Sequence, residues 1–403
     1  MTRRKLATLV TLVMLAMTIS STASADDSNE HLRALISPSL AYVHIGWSSK
    51  VYDNNNHRFV GHDNVTAIFE LSYRCTGFVV NSDGYVATAG HCLDPNEVTD
   101  NFKKTAARWA IDHHYYKDDV SVSDAAADYS IGGEKGKEKA PGISVDLRLS
   151  LPLGTTDRGP KFDAKVLASQ TSDEGDAGLL KIEQKDLVAL RLSATGHPTV
   201  TAPIVAFGFP GSVGPIDLID QTPSFETGSV ISKKHVGKGG RISTYGVSAG
   251  LSGGMSGGPS VDPKSGAVVG FNSFGARNES NSFDFIRPVS LIADLLAGKG
   301  VEAKSGTVSQ DYKAGIDAYF AGNKNLAVAK LQAVVDEQPG NAYAQQYLAK
   351  AKVMPKAKPA PKPKPASDGK SFPTGLVVGG VVVLAIIGLG VAVVVRARNR
   401  QGL

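Results

Sequence analysis

A chain of 403 residues is too long for one ordinary domain and short enough for one large domain with appendages. Its formal charge of +5 balances 43 Lys and Arg against 38 Asp and Glu, yet the bases crowd into the two ends and one linker. The body between them is mildly acidic, which argues against nucleic acid as a partner.

Residues 1–25 read as a signal peptide: a basic "TRRK", an apolar "LATLVTLVMLAM" and a small-residue "ASA" before "DD". An N-terminal anchor is the competing reading, though the apolar core is short for a span. From about 29 to 302 the chain is mostly short apolar runs punctuated by Gly, Pro, Asn and Asp, among them "TGFVVNSDGYVATAG", "LRLSLPLG", "AGLLKI", "PIVAFGFPG" and "AVVGFNS". Such runs predict an all-β barrel or sandwich. Within them, residues 96–116 have helical spacing, and "PVSLIADLLAGKG" has the proline, apolar face and terminal glycine of a closing helix.

Residues 307–352 read as helical, with turns at "AGNKN" and "EQPGN". Gly315, Ala327, Leu331 and Pro339 fit the spacing of a tetratricopeptide repeat, although only about one and a half repeats are present and the early aromatic is displaced to Tyr319. The expectation is a helical hairpin or partial repeat, with room for a protein partner. Residues 353–373 form a Lys/Pro linker, extended at ~3.1 Å per residue. Residues 375–395 carry no charge over 21 positions, ~32 Å of helix, and "RARNR" in the 396–403 tail follows. That pattern predicts a single-pass type I anchor with the body outside a bacterial cell membrane.

Chemistry is suggested by Ser256, set in "GGMSGGP". A flexible Gly/Ser loop is the bland reading; a loop whose amides approach a ligand is the other. A serine nucleophile needs a base, and the base needs an orienting group. Of nine histidines only His91 ends an alternating strand, in "GYVATAGHC". His113 and His114 lie in a helical, charged stretch, where a metal site competes with a solvated face. Asp173 and Asp176 are the available acids, and Asp176 directly precedes "AGLLKI". The order His91, Asp176, Ser256 is a known triad order.

These three motifs, "TGFVV…DGYVATAGHC", "DAGLLKI" and "GGMSGGP", resemble those of chymotrypsin/trypsin-fold serine proteases, and the chain is most similar to the bacterial branch with HtrA/Deg and actinobacterial trypsin-like peptidases. The resemblance spans roughly 40–297. It implies a mainly β fold of two six-stranded barrels over 26–302, with residues 95–154 as an insertion. It implies Ser256 as nucleophile, His91 as general acid/base and Asp176 as its orienting acid, with Gly254 and Ser256 amides as the oxyanion hole. Ser273, Phe274 and Gly275 would pair with substrate backbone and wall the specificity pocket. Cys75 and Cys92 would form a disulfide, free buried thiols being the alternative.

Where relatives cut to a new N-terminus hold an aspartate, this chain has Met255, so activation by that ion pair is not expected. Gly178 stands where relatives usually have alanine, and no peptide-binding PDZ domain follows. The pocket floor, near 249–252, reads as small and uncharged, pointing to small or apolar substrate side chains. The expected activity is hydrolysis of protein or peptide substrates without metal or cofactor. A binding scaffold on an inactive protease fold is the alternative.

Overall fold

The structure, a computed structural model, describes residues 25–355 apart from 63–64, 117–119, 153–158, 212–222, 238 and 276–283. Residues 1–24 of the expected signal peptide, the linker from 356, the expected membrane span and the tail lie outside the described residues. Among the described residues no helix is long and apolar enough to cross a membrane.

The first half is built on strand β1 (Leu40–Ser49), whose side chains alternate between buried and less buried along its length. Its long neighbour β2 (Phe69–Asn81) alternates only in its first half; the "CTGFVVN" end is buried on both faces. That switch marks where a second layer covers the sheet. With β3 (Tyr85–Ala89), β4 (Gly142–Leu149), β5 (Phe162–Asp163), β6 (Lys165–Ser169) and β7 (Ala177–Lys181) they make a seven-stranded sheet, in the order β5-β4-β1-β2-β3-β7-β6.

The second half closes. Strands β8 (Pro203–Gly208), β9 (Ser224–Val236), β10 (Ile242–Val247), β11 (Pro259–Val261), β12 (Val268–Gly275) and β13 (Asp284–Pro288) form a six-stranded barrel. Ile204, Val230, Tyr245, Val247 and Ile286 share one apolar cluster among these strands. A larger cluster joins the halves, with Phe78, Ala87, Ala177 and Leu179 from the sheet against Phe207, Val261 and Phe271 from the barrel. The site lies along this seam.

Two expectations are corrected. The first half is a seven-stranded sheet rather than a six-stranded barrel. Residues 95–154 are also not wholly an insertion, because β4 pairs along β1 from Ala41 opposite Leu149 to Ser48 opposite Gly142. The added part is helical: α1 (Ala25–Ile36) precedes the sheet, and α2 (Asn96–Asp112) and α3 (Val122–Ala127) follow His91. Helix α2 buries Val98, Phe102, Ala106 and Ala110, a spacing of four that lines one face, in the apolar cluster of the sheet.

The expected closing helix is α4 (Ser290–Ala297), with Ile292 and Leu296 buried. After it come three helices, one more than a simple hairpin: α5 (Thr307–Phe320), α6 (Lys324–Glu337) and α7 (Ala342–Val353). They are seated on the sheet half of the body. Ser309 Oγ accepts from the Ala189 amide at 2.9 Å and donates to the Leu187 carbonyl at 3.0 Å. Tyr312 donates to the Ala34 carbonyl of α1, and Tyr343 to the Leu151 carbonyl after β4. Ala34 and Val188 belong to the helices' own apolar cluster.

Candidate active site

Strand β3 ends at Ala89, and a 3₁₀ turn over His91–Leu93 lifts His91 off the sheet. Neighbouring β7 begins one residue after Asp176, so strand pairing brings the two together; the Gly90 amide donates to the Asp176 carbonyl at 2.8 Å. Asp176 has φ +58°, a left-handed conformation that Asp tolerates better than most residues. Its carboxylate is fully buried. It accepts from the His91 amide at 2.8 Å, from His91 Nδ1 at 2.9 and 3.0 Å, and from the Ser273 hydroxyl.

Burial alone would raise the Asp176 pKa, but the hydrogen bond and charge of His91, with the Ser273 bond, outweigh it and hold the carboxyl below its ordinary value. For His91 burial pulls the pKa down, while the Asp176 bond and charge, helped by Glu97, pull it up further; Arg287 opposes them, and the net shift is upward. An imidazole with Nδ1 tied to a carboxylate keeps Nε2 for a proton acceptor's role.

Ser256 sits in the loop between β10 and β11. The glycines around it answer to geometry. Gly254 has φ +92° and Gly257 φ +86°, and a Cβ would come within 2.4 Å of the Phe209 carbonyl oxygen or 2.3 Å of that of Thr76. The loop carbonyls are anchored: Gly254 O accepts from Thr76 Oγ1 at 2.7 Å, and Ser256 O from the Thr76 amide at 2.8 Å. Asn272 Nδ2 reaches Met255 O at 3.1 Å. Among the described residues, the Gly254 and Ser256 amides donate to no acceptor. Backbone N–H groups left open beside a hydroxyl are the donor type that stabilises an anionic oxygen.

The Ser256 hydroxyl donates to the Ser273 carbonyl at 3.1 Å, not to His91. Ser273, expected only on the substrate strand, thus touches both the acid, through its hydroxyl, and the nucleophile candidate, through its carbonyl. Cys75 and Cys92 are bonded, tying β2 to the turn that carries His91. Met255 is buried against Gly208, an apolar position with no place for an ion pair. His113 is exposed and stacks on Trp109 at 4.1 Å, a packing role.

The Leu251 amide, in the 249–252 segment that the sequence reads as small and uncharged, donates to Asp284 Oδ2 at 2.7 Å, so a half-buried carboxylate from β13 meets that segment. Burial raises its pKa. Asp284, Thr76, Arg287 and the Ser273 hydroxyl are the residues that sequence reasoning missed. Thr76 lies beside Cys75 in "CTGF" and was within reach; the others carry no local signal.

A family model described as a trypsin-like peptidase domain matches residues 75–271. No curated protein sequence matches the chain. Among solved structures, the serine endoprotease from Yersinia pestis is similar at 14% identity and TM-score 0.38, covering 67% of this chain and 65% of that one. The HtrA-type protease AlgW with a decapeptide is similar at 16% identity and TM-score 0.40, with 66% of each chain covered. The chain thus spans just under two thirds of the length of either.

Proposed function

We propose that this chain, which carries a trypsin-like peptidase domain, is a serine endopeptidase acting outside the cytoplasmic membrane, to which residues 375–395 tether it. The observation that carries the reading is the shared carboxylate of Asp176, hydrogen-bonded both to His91 and to Ser273 on the strand beside Ser256. For turnover, Ser256 Oγ leaves the Ser273 carbonyl and donates to His91 Nε2. His91 takes the proton as Oγ bonds to a peptide carbonyl carbon. The carbonyl oxygen, now anionic, takes the Gly254 and Ser256 N–H groups. His91 then returns the proton to the leaving amine, and the C–N bond breaks. Water, deprotonated by the same imidazole, releases the acid from the acyl-serine. With 249–252 as the pocket floor, the Asp284 carboxylate bonded to the Leu251 amide favours substrate side chains with a positive charge, where the sequence pointed to small or apolar ones.

One observation favours the alternative of a catalytically inactive scaffold: the Ser256 hydroxyl is turned from His91. A fluorophosphonate probe separates the two, because only an activated serine reacts. Labelling of the purified ectodomain that vanishes in Ser256→Ala supports the peptidase; no labelling under conditions where the fold is intact rejects it.

A further inference from the structure

Against the turn that precedes Asp176 lies a residue that the peptidase reading does not use. Arg287, on β13 of the barrel, is among the largest fully buried side chains, 1% exposed. Taking a guanidinium out of water is costly unless its donors are met. One prong donates to Thr244 Oγ1 on β10, itself fully buried. The other crosses the seam and donates to the Ser172 carbonyl at 2.9 Å. Ser172 belongs to the tight turn that delivers Asp176: the amides of Glu174, Gly175 and Asp176 all donate to the Thr171 carbonyl, at 2.9, 3.1 and 2.9 Å. The guanidinium therefore fastens the Asp176 turn of the sheet half to two strands of the barrel half.

We propose that Arg287 is a positioning residue for Asp176, fixing the 171–175 turn with its fork and holding a positive charge against the turn that delivers the carboxylate orienting His91. The inference rests on the peptidase reading above for its catalytic consequence. Its charge arithmetic involves few groups. Burial lowers the Arg287 pKa, and the charges of Asp176 and Asp173 offset that only in part. His91 faces Asp176 and Glu97, which favour its cation, and Arg287, which opposes it. Loss of the charge alone raises the His91 pKa, whereas loss of the Asp176 orientation lowers it, so fork and charge leave opposite signatures.

The experiment uses the full described ectodomain, residues 26–355, with three variants: Arg287→Lys, Arg287→Met and Thr244→Val. Each is read by fluorophosphonate labelling rate, by kcat and KM on a peptide, and by NMR titration of the His91 ring. Lysine keeps the charge and loses the fork. We expect its labelling rate and kcat to fall at least about tenfold with KM little changed, as small misplacements of a catalytic group do. Thr244→Val, which removes one anchor, should fall in the same direction by less. The His91 titration should lie higher in Arg287→Met than in Arg287→Lys. An Arg287→Lys protein with the parent's rate overturns the positioning role, and equal His91 titrations in the Lys and Met variants overturn the charge role. Should Arg287→Met fail to fold, the Lys and Val variants still decide the fork, and Thr244→Val, with its charge retained, must then leave the His91 titration at or below the parent's; a rise overturns the proposal. If the parent itself does not label, the peptidase reading fails separately, and the titrations still test Arg287.

Discussion

The seven-stranded sheet supplies His91 and Asp176 and pairs them within itself, through β3, β7 and the Gly90 amide. The closed barrel supplies Ser256 on a loop that its own strands hold only partly. Its Gly254 and Ser256 carbonyls are held by Thr76, from the sheet. In return the barrel's Ser273 and Arg287 hold the acid and its turn. Each half is thus braced by the other, and the site exists only where the halves dock over the cluster of Phe78, Leu179, Phe207 and Phe271. A site braced this way is set by the packing of two cores, which resists small displacements better than loops do.

The hardest way to break the comparison is to remove the reacting group from either half. Ser256→Ala in the barrel and His91→Ala in the sheet should each cost on the order of 10⁶-fold in kcat, because such residues act as a unit. Peptide hydrolysis with purified Ser256→Ala at the parent rate would sink the mechanism. Next comes the brace. Thr76→Val keeps the backbone bond to Ser256 and removes the hydroxyl that holds Gly254 O, so the Gly254 amide loses its aim. A fall of about 10²-fold in kcat is expected, comparable to losing one oxyanion donor; unchanged kcat would show that the Thr76 hydroxyl does not aim the Gly254 amide.

Reducing the Cys75–Cys92 bond acts on the sheet half only. With 17 residues of separation it should lower unfolding free energy by ~3 kcal/mol, and Cys75→Ser should match that without further loss on reduction. Denaturant melts with and without reductant read it, and two titratable thiols in native protein would contradict it. Asp284→Asn should lower the preference for a lysine or arginine side chain over an apolar one by about tenfold, near the lower end of a charged hydrogen bond's worth. Matched peptides differing at that one side chain are the assay, and an unaltered ratio would remove Asp284 from the pocket.

The smallest effect is one of pH. His91 must be neutral to accept the Ser256 proton, and its pKa is raised, so the acid limb of kcat/KM should lie above the ordinary imidazole value of ~6.5. Stability runs the other way. The contribution of the charged His91–Asp176 pair is fully present below ~6.5 as far as His91 is concerned and is lost as pH rises through the raised value. At the acid end, the lowered Asp176 pKa makes its share present above the ordinary carboxylate value and lost as pH falls through the folded one. An acid limb below 6.5 would mean that Arg287 and burial outweigh Asp176.

From sequence alone, the alternating strands, the α2 and α4 helices and the three motif residues were legible, because each rests on local chemistry. A histidine closing an alternating strand, an acid opening an apolar run, and glycines at 254 and 257 that a side chain would obstruct are each written in a motif of a few positions. The edge of the sheet was not legible. Residues 142–149 pair with β1 across about a hundred positions, and nothing in "GISVDLRL" names that partner. The supports of the site were hidden for the same reason. Ser273 reaches Asp176 over 97 positions, Arg287 reaches Ser172 over 115, and Asp284 reaches Leu251 over 33. Periodicity assigns a residue to a face, and only strand order and register decide which distant residue that face meets. What the sequence by itself determined was therefore the chemistry available to His91, Asp176 and Ser256. Tertiary structure decided what aims them, since a hydrogen bond's direction is set by the docking of two cores that no local pattern encodes.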